Sequence, residues 1–269
     1  MYYSLISSMN KFDIDAQAFI NAASITNYTQ KIAINTLVIS LKSYGIWTKM
    51  KAIYPIVGGN ASTHKFNLKD PRDLDAAFRL TFNGGWTHSS NGALPNGSNG
   101  YANTNLIPST SLTTMNTHIS YYSRSNITTA GMVDNGCQAD PGAKQMYVMY
   151  YNTSTQTAYS NQNSDANRII VTETDSLGML LASRTSSASL KAYKNGVLKG
   201  TNTSISTTAL PDITFYIGGF NYKSALGSSV SYGKREMAFS TIGDGLTDTE
   251  AANYYTAVQA FQTTLGRQV

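Results

Sequence analysis

The chain has 269 residues, enough for one large β-sandwich or two modest domains and enough to bury a substantial core. Only 13% of residues are charged, about half the ordinary share, while Ser, Thr, Asn and Tyr supply a surface that hydrogen-bonds through neutral groups. The net charge of +5 comes from basic residues scattered singly, which excludes the clustered cationic face of a nucleic-acid binder, and no apolar run approaches the roughly 18 residues of a membrane span.

Met1 to Met9 lacks the basic start and long apolar core of a signal peptide. Tyr2, Tyr3, Leu5 and Ile6 make this an apolar opening poorly suited to a free tail in water. It is expected to dock on a partner subunit or another protein of the same assembly; the competing expectation is an edge strand of its own sandwich. From Asp13 to about Tyr44 the pattern is helical. Ala16, Phe19, Ile20 and Ala23 form a first short helix. After an expected cap at Thr26, Ile34, Leu37, Val38, Leu41 and Tyr44 repeat at steps of three and four until Gly45 stops the run. Residues 1–45 thus read as a segment plus helical hairpin, serving either attachment or as a layer against the rest, residues 46–269.

From Gly45 to Gly243 the period changes to two, in Ala77–Phe82, Thr117–Tyr122 and Gln145–Tyr150 among others. Leu190–Lys199 is the clearest hairpin, with Asn195-Gly196 placed as a type I′ turn requires. Further strands are expected over Ile213–Gly218 and Glu236–Ile242. Gly84–Pro108 and Asn152–Asn167 are rich in Gly, Asn and Ser and read as loops. Short strands with polar turns between them indicate an antiparallel sandwich. The single Cys137 forbids an internal disulfide and reads as a small buried apolar residue. The chain closes on a helix over 247–265. Thr247 and Glu250 have capping-box spacing, and Ala251, Tyr254, Val258, Phe261 and Leu265 share one face. Gly266 stops the helix and Arg267 suits the negative end of its dipole.

Several constellations are candidates for chemistry. Trp86 and His88 lie in a Gly/Asn/Ser segment, where an exposed indole stacks on a sugar ring; the alternative is a plug in the core. Tyr121 with Tyr122, and Tyr150 with Tyr151, are adjacent pairs, so one member of each should face outward from a strand and contact a sugar or a neighbouring subunit. Asp70, Asp73 and Asp75 are candidate calcium ligands, although Lys69, Arg72 and Arg79 are near enough to neutralise them. His64, His88 and His118 are far apart in sequence, and zinc needs folding to unite them.

The motifs Lys191-Ala-Tyr-Lys-Asn-Gly-Val-Leu-Lys-Gly and Phe215-Tyr-Ile-Gly-Gly, followed by the Lys234–Leu265 ending, resemble the concanavalin A-like lectin/glucanase superfamily in its laminin-G-like, pentraxin-like form. This likeness covers roughly the last third of the chain. Trp47 to Gly59, His64 to Leu80 and Gly85-Trp-Thr-His-Ser resemble a group of tailed-phage proteins with the same jelly roll, over nearly the whole length. The resemblance implies a mainly β, concanavalin-like jelly-roll sandwich and a virion or tail component, assembled in the host cytoplasm. Its expected partners are other virion proteins, further copies of itself and a host surface polysaccharide. A surface of extracellular character without export signal or disulfides fits a particle released by lysis. Catalysis is not implied. The superfamily's glucanases carry paired carboxylates on one strand, because retaining hydrolysis needs two about 5 Å apart. Glu173-Thr-Asp175 is followed by Leu177 and Gly178 where the second Glu belongs. The chain is therefore expected not to be an enzyme. The competing classes are a dedicated receptor-binding lectin and a glycan-cleaving enzyme.

Overall fold

The alternating runs build two β-sheets, and the helical runs build a layer over one of them. The computed structural model describes residues 11–140, 144–150, 156–161, 167–204 and 209–269. In chain order the elements begin with α1 (Ile14–Ala22), α2 (Tyr28–Ser43), β1 (Met50–Tyr54) and α3 (Ala61–His64). Short strands follow: β2 (Thr81–Asn83), β3 (Trp86–His88), β4 (Ala93–Pro95) and β5 (Tyr101–Asn103), then the single turn α4 (Pro108–Ser111). The long central strands are β6 (Thr117–Ser123), β7 (Met132–Ala139), β8 (Lys144–Tyr150), β9 (Gln156–Asn161), β10 (Ile169–Thr172) and β11 (Gly178–Ser186). Next come β12 (Ser189–Lys194), β13 (Val197–Asn202), β14 (Tyr216–Ile217), β15 (Gly219–Ser224), β16 (Gly227–Tyr232), β17 (Met237–Gly243) and α5 (Asp248–Thr264).

Among the described residues, eight strands form the first sheet, in the order β13-β12-β11-β6-β17-β4-β3 with β1 also on β17. Nine form the second, β10-β9-β8-β7-β14-β5-β2 with the β15–β16 hairpin attached through β7. The β7–β15 pairing is parallel; the other pairings are antiparallel. Ile119, Tyr121, Leu180, Ala182 and Ile242 from the first sheet meet Cys137, Met146, Val148, Tyr159 and Ile217 from the second in one buried core. The opposite face of the first sheet carries Tyr122, Met179, Leu181, Tyr193 and Phe239. These pack under Ile34, Leu37 and Leu41 of α2 and Tyr254, Val258 and Phe261 of α5. The N-terminal hairpin is therefore a layer on this domain.

The caps explain the helix ends. Asp13 caps α1, accepting from the Asp15 amide, and Asn27, one residue beyond the expected Thr26, caps α2 by accepting from the Gln30 amide. Tyr44 lies past the end of α2 and is exposed, so it does not join the helix's buried face. The capping box of Thr247 and Glu250 is formed, and Gly266 takes φ 65° at the stop. Asn195 and Gly196 take φ 50° and 74°, the left-handed pair a type I′ turn needs. Three expectations are corrected. The span Gly84–Pro108 holds three short strands, because Asn96 and Asn99 organise its turns: Asn96 Oδ1 accepts from the Ser98, Asn99 and Gly100 amides, and Asn99 Oδ1 from the Gly85 amide. Within Asn152–Asn167, residues 156–161 form β9, which pairs with both β8 and β10. Ala77 ends a 3₁₀ turn and Phe78 is left-handed at φ 59°, so the strand expected there starts only at Thr81.

Candidate functional site

Burial separates the candidate residues first. Tyr121 and Tyr122 are both fully buried, which corrects the expectation that one of them faces outward. β6 sits in the middle of the first sheet with the inter-sheet core on one side and helices on the other, so neither face is open. Tyr121 Oη donates to the Arg235 carbonyl at 2.9 Å, and Tyr122 Oη to Gln259 Oε1 at 3.0 Å. The side chain of Tyr150, all of Tyr151, and Tyr2, Tyr3, Leu5 and Ile6 lie outside the described residues.

Trp86 is half-buried and packs edge-on to Phe82 at the side of the inter-sheet core. Its indole N–H donates to the Asn83 carbonyl at 3.0 Å, and the ring lies where a Cβ on Gly218 would stand, 2.4 Å from its edge. Folding does unite two histidines. The Gly59 amide donates to His64 Nε2 at 3.1 Å, which leaves the proton on Nδ1, and that proton bridges to His88 Nδ1 at 2.9 Å. Burial, with His88 and then Arg267 nearby, pushes His64 down to about 3. Both rings are therefore neutral, and their facing nitrogens are occupied by each other. His118 is separate: Nδ1 donates to the Asp244 carbonyl and Nε2 accepts from Thr241, and burial pushes it down to about 4. Among the described residues no three His, Cys, Asp or Glu gather as a metal site.

The acidic candidates are paired. Asp70 accepts from Arg72 at 2.8 Å, Asp75 from Arg79 at 2.8 Å, and Asp73 from both Lys65 and Arg79. Lys65 and Arg79 hold Asp73 below the usual carboxylate range. A calcium ion on this trio would have to displace those cations. Lys69, expected among the neutralising groups, instead donates to the Trp47 carbonyl. Glu173 and Asp175 share Lys194, at 3.1 and 2.9 Å, and Lys199 stands 3.3 Å from the other Glu173 oxygen. Burial opposes ionisation of Asp175, but its contact with Lys194 prevails and lowers its pKa. Lys194 thus favours the ionised form of Asp175, a poor arrangement for a proton donor.

A surface with a concentrated aromatic character is the outer face of the second sheet, which none of the described helices covers, although Tyr147 and Gln145 on it are buried. Side-chain alternation assigns its residues. Ala102, Cys137, Met146, Val148 and Ile217 point into the core, so Tyr101, Gly136, Gln138, Gln145, Tyr147 and Tyr216 point away from it. Phe220 and Tyr222 of β15 stand beside Gly136 and Gln138 and share that side. Tyr101 and Tyr216 stack with ring centroids 4.5 Å apart, with Tyr232 6.4 Å from Tyr101. Phe220 lies nearly parallel to Tyr222 at 6.5 Å and edge-on to Tyr147 at 5.7 Å. Gly136 makes this possible, since a Cβ there would meet Tyr147 Cβ at 2.6 Å and Phe220 at 3.0 Å. Tyr101, Tyr216, Phe220, Tyr222 and Tyr232 are each half-buried. Sequence reasoning missed these residues. The available signal was Gly219-Phe220-Asn221-Tyr222, a short alternation ending in aromatics.

No protein-family model and no curated protein matches the sequence. Solved structures do share the fold. The fourth domain of AbnA, an extracellular GH43 arabinanase from Geobacillus stearothermophilus, solved with arabinotriose, superposes with a TM-score of 0.52 at 14% identity, covering 77% of this chain and 98% of that domain. A mutant sialidase of Trypanosoma rangeli displaying trans-sialidase activity gives 0.51 at 12% identity, covering 85% of this chain but 39% of the sialidase. The binding domain of botulinum neurotoxin serotype D gives 0.50 at 11% identity, covering 81% of this chain and 52% of that one. The chain is a mainly-β, jelly-roll-like antiparallel sandwich with an N-terminal helical hairpin and a C-terminal helix.

Proposed function

We propose that this protein is a non-enzymatic structural component of a tailed-phage particle that binds host surface glycans through the open face of its second sheet. The observation that carries the glycan reading is the set of half-buried aromatic side chains on the sheet that none of the described helices covers, Tyr101 stacked on Tyr216 and Phe220 beside Tyr222, with Tyr232 near Tyr101. Aromatic rings with their faces in water offer the apolar C–H side of a sugar a stacking surface, and their hydroxyls meet its hydroxyls. A domain of like fold has been solved holding arabinotriose, which supports the same ligand class. The particle reading rests on the sequence resemblance. The solvent-facing Ile14 and Tyr28 on the helical layer favour docking there on another virion protein.

The test is binding of the purified protein to host capsular and outer-membrane polysaccharide by titration calorimetry, with proteomics of purified particles alongside. We expect saturable binding that Tyr216→Ala with Tyr222→Ala abolishes without a fall in helix or sheet content. We also expect no release of reducing sugar. Hydrolysis that disappears on Glu173→Gln would overturn the non-enzymatic reading, and absence from the particle would overturn the virion one.

A further inference from the structure

On the outer face of the second sheet, two in-register rows cross the same three strands. One row is Phe220, Gly136 and Tyr147; the next is Tyr222, Gln138 and Gln145. Gln145 is completely buried, and neither its amide oxygen nor its amide nitrogen has a hydrogen-bond partner. Both atoms of a primary amide left unpaired out of water are costly, and such groups in folded proteins call for a partner the resting structure does not supply. Gln138, directly opposite, is half-exposed. Paired residues on one face of a sheet have Cβ atoms about 5 Å apart, close enough for one sugar ring to meet both amides once that of Gln145 turns outward. Tyr222, next in the row, donates its hydroxyl to Asp140 at 3.0 Å, which fixes the ring and places a carboxylate at the rim.

Resting on the glycan reading above, we propose that Gln138 and Gln145 form a neutral-sugar subsite, in which their amides pair vicinal hydroxyls while Tyr222 and Phe220 stack against the pyranose ring. A primary amide presents a donor and an acceptor side by side, which matches two adjacent hydroxyls, each donor and acceptor in turn. Gln145 reaches the ligand by swinging its amide up its side-chain torsions toward Gln138. The Asp140 carboxylate repels a sugar acid at the same place, so the subsite takes neutral hexoses and rejects uronic and sialic acids.

The experiment titrates the full chain and three variants with neutral oligosaccharides (maltoheptaose, laminariheptaose and mannopentaose) and acidic ones (sialyllactose and oligogalacturonate), with melting temperatures measured throughout. A neutral probe is expected to bind at least tenfold more tightly than either acidic one. Gln138→Ala should weaken that binding about tenfold with little change in melting temperature. Gln145→Leu should raise the melting temperature, because it removes the unpaired amide, yet weaken binding. Asp140→Asn should narrow the gap between neutral and acidic probes. If a neutral sugar binds but Gln138→Ala and Gln145→Leu leave affinity within twofold, the subsite is wrong while the glycan reading stands. Tighter binding of an acidic probe overturns the neutral class. No binding of any glycan, host polysaccharide included, removes both.

Discussion

Arg267 offers the sharpest test of how the C-terminus is held. Its place in the sequence suits the negative end of a helix dipole, and the structure buries it there, 1% exposed. Its Nε donates to Gln262 Oε1 at 2.6 Å, Nη1 to the Ile56 carbonyl at 2.7 Å, and Nη2 to the Pro55 and Ala238 carbonyls at 2.7 and 2.9 Å. The fork thus ties the end of α5 to the end of β1 and to β17. Burial, reinforced by Arg124 and opposed by Glu236, pushes its pKa down to about 9 from 12.5, so it remains a cation at pH 7. That displacement corresponds to a burial cost of about 5 kcal/mol, which Arg267→Ala would recover. Against the recovery, the variant strands four buried acceptors at about 2 kcal/mol each and loses the stem's packing. The net expectation is a loss of about 3–5 kcal/mol, or a fall in Tm on the order of 10 °C. Arg267→Lys keeps the charge but cannot reach acceptors on three elements, and should recover less than half of the loss. Thermal and urea unfolding followed by circular dichroism read both values. A change below 2 °C for Arg267→Ala, or full rescue by Lys, would refute the argument that the fork, and not merely the charge, holds the terminus.

Stability should also fall with acid in a defined window. Burial pushes His64 down to about 3 and His118 to about 4, below the ordinary imidazole value of 6.5, so the unfolded chain binds more protons between those limits. Their contribution is therefore fully present above about pH 6.5 and drains away as pH falls toward 4, by about 3 kcal/mol for His118 alone. Urea midpoints at pH 7.5, 6 and 4.5 check this, and a midpoint that rises on acidification contradicts it. Truncating Phe261, which is 2% exposed and edge-on to Phe239, should cost about 3–5 kcal/mol as Phe261→Ala; a cost below 1 kcal/mol in urea unfolding would mean that α5 is not anchored by this face. Deleting residues 2–12 should leave a folded sandwich that no longer enters particles, as read by circular dichroism and particle proteomics. Melting or aggregation of the deleted form, with full-length protein a stable monomer, would instead assign the segment to the core.

What the sequence made legible is what short-range chemistry decides. A capping box three residues wide and an Asn-Gly pair between alternating strands carry their instructions locally, and Thr247–Glu250 and Asn195–Gly196 fold as they read. The three-residue strands β3, β4 and β5 carry no measurable period, and Asn96 and Asn99 hold their turns through side-chain bonds that composition registers only as loop. Facing was harder still. Alternation shows that Tyr121 and Tyr122 point to opposite sides of a strand, but not that α2 and α5, far away in both chain directions, close the second side. The same long-range docking decides which face stays open. Tyr101, Tyr216 and Phe220 come from three strands that only the sheet order brings to one side, so their common surface has no signature in any one stretch of chain. A rule follows for sandwiches of this kind. Aromatics on strands beneath a helical layer are core however they alternate, and outward-pointing aromatics become candidates for binding only once the uncovered sheet is known.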